Sequence, residues 1–341
     1  MKDKVTIKDI AEATGVSAST VSRIINNKGK YAQETRQAVW DAIRDLKYSP
    51  NILAKSLRSK KSTLVGIMVP TLYDDFFGIL ADHLARELLR CGFSPMVYST
   101  YNDEEVEKRY CSMLVSLNAS GMIYILKETP VYEEGASIPT IFIGNAPEMS
   151  ENSVRILFDI VGGAKEATQE LVDAGCRRSV DIESARRREP RVGRYLGYQQ
   201  GLWENGIPID ESLVITVGGK DYADIPNALE KLIDRGVTFD GVFSNKVSSS
   251  IEVINFLKKK GMRIPEDIKI VSFENGRTAE LYNPSISAIE MDSSQASESA
   301  VSILRDMIQR EEPLKKTIRI PSVLHRRETS VIEKAEEAAE V

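Results

Sequence analysis

Three cysteines and two histidines are all that 341 residues offer in the way of soft metal ligands. Cys91, Cys111 and Cys176 stand far apart without metal-ligand spacing, and His83 and His325 complete no Cys/His constellation, which argues against a zinc site. Such scattered thiols read as reduced and incidental, in a cytoplasm. No stretch holds eighteen uninterrupted apolar residues, and no apolar leader core precedes the first helix. A cytoplasmic chain with no membrane role is expected. No nucleophile–base pair, metal motif or phosphate loop can be assembled. Gly162-Gly163 alone is better read as a packing device at a helix start. An enzyme is therefore not expected, nor a cofactor.

What is present is an uneven charge. Residues 1–63 hold 13 Lys+Arg against 6 Asp+Glu, and the remainder holds 32 against 44. A basic head on an acidic body points to a nucleic-acid partner for the head alone. The length suggests two or three domains.

The head is organised around residues 6–26, TIKDIAEATGVSASTVSRIIN. Thr6 can cap a first helix carrying Ile7, Ile10, Ala11 and Ala13. Gly15 supplies a tight turn, and Ser17 caps a second helix with Val21, Ile24 and Ile25 on its buried stripe. The other face offers Ala18, Ser19, Ser22 and Arg23, small groups and one guanidinium of the kind a major groove accepts. An ordinary helical hairpin is the alternative. A basic turn follows, then a third helix over 34–46 with Val39, Ala42, Ile43 and Leu46 facing a small core. Last comes the Pro-led basic segment YSPNILAKSLRSKKS.

From residue 64 strand and helix alternate. LVGIMVP, SPMVYST, GMIYIL and TIFIG read as strands, and EEVEKRYCSMLVSLN as a helix with Val106, Tyr110, Met113, Leu114 and Leu117 inward. The same grammar restarts near Ile156, which argues for parallel sheets with helices on both faces, in two halves.

TIKDIA, GVSASTVSRIIN, ETRQAVWDAI and YSPNILAKSLRSKKS resemble, in order and spacing, the DNA-binding headpiece of the lac/gal repressor family, and the likeness runs more loosely along nearly the whole chain. It implies an α/β protein. An N-terminal all-α helix-turn-helix headpiece (1–48) and a hinge helix (49–62) precede a two-lobed core resembling a periplasmic binding protein. The first lobe would comprise 63–158 plus 292–322 and the second 159–291. Crossings are placed near 158–161, 290–292 and 321–323, and 329–341 is expected to be a solvated acidic tail.

The resemblance also implies roles. Base reading falls to Ala18, Ser19 and Arg23, and phosphate contact to Ser17, Thr20, Asn26, Tyr31 and Asn51, with capping an equal alternative for Ser17. Leu57, beside Ala54 and Lys55, matches the leucine that the family wedges into the minor groove. Phe76 and Phe77 match a sugar-stacking aromatic pair, and Arg194 the arginine of an R-x-x-G motif. Where the family carries hydroxyl-binding acidic positions, this chain has Phe158-Asp159, Asn245-Lys246 and Ser272-Phe273-Glu274. With Arg194 and Lys246 both at the cleft, an anionic effector, a sugar phosphate or sugar acid, is expected in place of a neutral sugar. Lys246 paired with Glu274 in a degenerate cleft is the alternative.

Taken together, a homodimeric regulator binding operator DNA under control of a small molecule is expected. A regulator controlled by a partner protein, a solute-binding protein and an enzyme are the other classes weighed.

Overall fold

The computed structural model describes residues 5–25, 29–48, 62–125, 138–144, 153–184, 189–217, 224–310 and 316–331. Asn26, Asn51, Ala54, Lys55 and Leu57, and with them the proposed hinge, lie outside the described residues. The chain divides into two compact units, residues 1–62 and 63–341.

In the first unit, α1 spans Ile7–Thr14. The Asp9 carboxylate accepts from the Thr6 amide at 2.6 Å and the Thr6 hydroxyl at 2.8 Å, tying down the first turn. These hydrogen bonds from Thr6, the backbone one foremost, hold the Asp9 pKa below the usual carboxylate value. Gly15 ends the helix at φ 67°, a left-handed conformation that favours glycine. Helix α2 spans Ala18–Ile25 and α3 spans Gln33–Asp45. Ile10, Ala11, Val21, Ile24 and Val39 form the core. Two residues expected there are elsewhere: Ala13 is exposed and Leu46 is 36% exposed. Leu46 follows the last residue of α3, past the reach of the packed face.

The second unit contains two sheets. The first consists of β1 (Leu64–Val69), β2 (Ser94–Ser99), β3 (Gly121–Ile125), β4 (Thr140–Ile143), β5 (Ser153–Phe158) and β11 (Lys316–Ile320), in the order β11-β5-β4-β3-β1-β2. All its pairings are parallel. Strands β3 and β4 are buried along their whole length, as parallel strands covered on both faces must be. Helices α4 (Asp75–Arg90) and α11 (Ser293–Arg310) pack on one side through Leu80, Leu84, Leu88, Ala300 and Leu304. Helix α5 (Glu104–Ser116) buries Cys111 and Leu114, while Met113, expected inward, is 36% exposed. The register follows Leu114, which fills the space over Gly66. A Cβ at Gly66 would stand 2.2 Å from a Leu114 methyl.

The second sheet is built from β6 (Ser179–Ser184), β7 (Val214–Val217), β8 (Gly241–Ser244), β9 (Lys269–Ser272), β10 (Ser287–Met291) and β12 (Ser322–His325), in the order β12-β10-β9-β8-β6-β7. Only the β10–β12 pairing is antiparallel. Helices α6 (Ile160–Asp173), α7 (Glu189–Glu204), α8 (Asp224–Asp234), α9 (Val247–Lys259) and the short α10 (Arg277–Leu281) accompany it. The chain passes between sheets after β5, after β10 and between β11 and β12.

The tail does not begin at Thr329. Thr329 and Ser330 are buried in the second lobe, where Thr329 Oγ1 donates to the Ile270 carbonyl at 2.8 Å and Ser330 Oγ lies 2.7 Å from Glu170 Oε1. Their hydroxyls find acceptors there, so the acidic composition further on does not govern them. Residues 332–341 lie outside the described residues. Among the described residues no helix is long and apolar enough to cross a membrane.

Candidate functional site

Helix α2 starts where Ser17 supplies a side-chain acceptor: its Oγ takes the Thr20 amide at 3.1 Å. The same oxygen lies 2.8 Å from Ser19 Oγ and 2.9 Å from Thr20 Oγ1, so three hydroxyls gather at the helix's positive end. Ser17 thus caps α2. Ser19 and Arg23 are exposed opposite buried Val21 and Ile24, whereas Ala18 and Tyr31 are half-buried and pack against the headpiece core.

In the second unit the candidates separate into groups that meet and groups that do not. Phe76 packs edge-on against both Phe77 and Phe158, each at 5.6 Å between ring centroids. All three rings lean on the first lobe's core, so an aromatic wall replaces the acidic position where Phe158 stands. Asp159 caps α6: its Oδ1 accepts from the Gly162 amide at 3.0 Å. Gly162 leaves room for this cap, because a Cβ would stand 2.2 Å from Asp159 Oδ2 and the carboxylate would have to shift. Asn245 is buried, and its side-chain oxygen accepts from Ser249 Oγ at 2.9 Å.

Arg194, Lys246 and Glu274 do converge. The Arg194 guanidinium donates through Nε and Nη2 to the two oxygens of Glu183, both at 3.3 Å, and lies 5.5 Å over the Phe273 ring. The pair is 11% and 1% exposed. The motif glycine Gly197 sets α7 against α6, since a Cβ there would stand 2.3 Å from the Val161 carbonyl oxygen. Lys246 Nζ lies 2.6 Å from Asp74 Oδ2, at the start of α4, and 3.9 Å from Glu274 Oε1. The Glu274 side chain is 23% exposed. Desolvation pushes its pKa up to about 7. The neighbouring Lys246 and Arg194 charges pull it down, and Asp74 and Asp75 add to the rise.

Two members of this cluster, Asp74 and Glu183, escape the sequence reading. Asp74 sits in an Asp-Asp pair that reads as a helix start, and Glu183 is the penultimate residue of a strand from which no partner is implied.

The comparisons with known proteins agree with this architecture. Residues 6–51 match the bacterial regulatory proteins of the lacI family, and residues 168–330 match the periplasmic binding protein-like domain. The HTH-type transcriptional regulator DegA of Bacillus subtilis (strain 168) is 30% identical over 298 residues, covering 84% of this chain and 86% of the relative. The chain belongs to the lacI family of bacterial regulatory proteins. The HTH-type transcriptional repressor PurR of Erwinia tasmaniensis is 25% identical over 328 residues, 94% of this chain and 96% of the relative. Among solved structures, the lac repressor dimer bound to operator and the anti-inducer ONPF superposes with a TM-score of 0.83 at 21% identity, covering 97% of this chain and all of the other. A CelR–cellobiose complex gives 0.67 at 24% identity, covering 96% and 100%. This lacI-family chain is thus a DNA-binding transcription regulator, with an effector-binding type of core behind its headpiece.

Proposed function

We propose that the chain is a homodimeric repressor whose headpiece reads a roughly palindromic operator and whose core takes a small sugar-class metabolite between its lobes. The observation that carries the DNA part is helix α2, with Ser19 and Arg23 exposed opposite Val21 and Ile24 on a unit with surplus positive charge. Arg23 can bridge the O6 and N7 acceptors of guanine, Ser19 and Ala18 complete the reading face, and Ser17, Thr20 and Tyr31 orient it on phosphates. Gel-shift titration tests this. Affinity should fall steeply with salt. Arg23→Ala should weaken operator binding by roughly 1–3 kcal/mol and leave random-sequence binding nearly unchanged. Equal losses on both sequences refute base reading.

The charges at the cleft move the effector reading away from an anion. Arg194 is already gripped by Glu183, and Lys246 by Asp74, so neither supplies a surplus cation. Glu274 and the Phe76–Phe77 pair supply a polar group and an apolar face, a combination that suits a neutral polyol. Among the relatives, CelR is described in complex with cellobiose, and a lacI-type regulator from Alkaliphilus metalliredigens with D-xylulofuranose. Calorimetry with a sugar against its phosphate separates the classes. Tighter binding of the phosphate returns the anionic reading. The second reading, control by a partner protein, is favoured by the Lys246–Asp74 contact, which already joins the two lobes through side chains of the chain itself. Mass spectrometry of native material distinguishes a co-purified metabolite from a co-purified protein.

A further inference from the structure

Lys246 stands immediately before α9, at the capping position, where a helix favours a side-chain acceptor. A lysine has donors only, and its charge lies at the positive end of the helix dipole. Its side chain makes no capping hydrogen bond. The backbone alone serves the helix: the Lys246 carbonyl accepts from the Ser250 amide at 3.0 Å and from Ser244 Oγ at 3.2 Å.

The reward lies across the cleft. Asp74 is the corresponding residue before α4 on the first lobe, and its carboxylate divides its two oxygens. Oδ1 accepts the Phe76 amide of its own helix at 3.2 Å, and Oδ2 accepts Lys246 Nζ of the other lobe at 2.6 Å. Glu274 closes the group from the second lobe at 3.9 Å. One ammonium therefore lies between carboxylates from both lobes. We propose that Lys246 is a built-in occupant of the cleft, a latch that holds the two lobes together through Asp74 with no effector present. A residue that breaks a local rule while satisfying a long-range one marks a functional position. Desolvation of Glu274, faced by Lys246, Asp74, Arg194 and Asp75, is consistent with a closed arrangement at that point.

This inference rests on the reading of residues 74, 246 and 274 as cleft groups. Its experiment uses neither DNA nor effector, so its failure is distinct from that of the repressor reading. Hydrogen–deuterium exchange of the full chain compares wild type with Lys246→Met, which keeps the apolar stem, and Asp74→Asn, which keeps the Oδ1 cap. Peptides spanning residues 72–80, 244–252 and 270–276 should exchange about fivefold faster in both variants, with β3 and the headpiece unchanged. In Lys246→Ala, added propylammonium replaces the missing stem and ammonium and should restore slow exchange, while tetramethylammonium should not. Should either lysine variant not fold, Asp74→Asn decides. Wild-type exchange in Asp74→Asn, equal acceleration throughout both lobes, or no response to propylammonium overturns the latch.

Discussion

Helices α2 and α9 begin in opposite ways. Before α2, Ser17 turns its oxygen back onto the Thr20 amide, so the first turn is stabilised by a residue three positions away. Before α9, Lys246 turns outward, and its side chain finds a carboxylate 172 positions away in sequence. The first helix start is self-contained and the second is meaningful only in the folded core. A reading helix must keep its shape while DNA comes and goes, which local capping provides. A contact between lobes must be able to form and break, which a single long-range ion pair allows.

That contrast can be broken most forcefully in the headpiece core. Ile24 is buried beneath the exposed face of α2, in a small core whose buried members among the described residues are Ile10, Ala11, Val21, Ile24 and Val39. Ile24→Ala should lower headpiece stability by roughly 2–5 kcal/mol, through lost burial and the cavity left behind. Thermal unfolding should then separate into an early headpiece transition and an unchanged core transition. A headpiece that melts as in wild type would contradict the packing described here.

Exchanging the two caps is a finer comparison. Ser17→Ala removes the acceptor and should cost about 1 kcal/mol of headpiece stability. Lys246→Ser does the reverse, giving α9 a local acceptor while removing the cross-lobe ammonium. The gain of a cap and the loss of a partly exposed pair should offset, leaving core stability within about 1 kcal/mol of wild type. Denaturant titrations of the two variants check this. A large loss in Lys246→Ser would mean that the pair is a structural support and not a releasable contact.

These two helix starts also mark how far the sequence could be read. Gly15, Ser17 and the stripe of Val21 and Ile24 signal a helix-turn-helix within one short window, because every group involved is a near neighbour. Lys246 was visible as a departure, yet its partner was not. Asp74 reads locally as the cap it also is, and nothing in Asp-Asp-Phe-Phe announces a second use for one oxygen. Arg194 stood out through its R-x-x-G motif, while Glu183, which takes up its guanidinium, lies near the end of the preceding described strand. Short β12 escaped notice because four residues beside a crossing carry no period of their own. Burial of Thr329 and Ser330 escaped because hydroxyl residues next to an acidic tail look solvated until their acceptors are known.

The smallest expected effect concerns Glu274, and its sign follows from linkage. Its pKa is raised in the folded chain from 4.5 to about 7, chiefly by desolvation. Below 4.5 folded and unfolded chains both hold the proton, and the group contributes no pH dependence. Between 4.5 and about 7 the folded chain retains a proton that the unfolded chain releases, so stability falls as pH rises through that window and levels off above it. Full unfolding is not the only way to relieve the buried charge, because parting the lobes also returns the carboxylate to water. That escape limits the effect to on the order of 1 kcal/mol. It also gives opening the same pH sign, since deprotonation favours the better-hydrated arrangement. Glu274→Gln removes the titration while keeping size and polarity. Wild type should lose stability relative to Glu274→Gln between pH 5 and about pH 7, and the two should run parallel above pH 8. Exchange at residues 72–80 should quicken with pH beyond its intrinsic dependence in wild type only. A wild type that instead gains on the variant as pH rises would mean that the Lys246 ammonium outweighs desolvation at Glu274, reversing the order of the two causes.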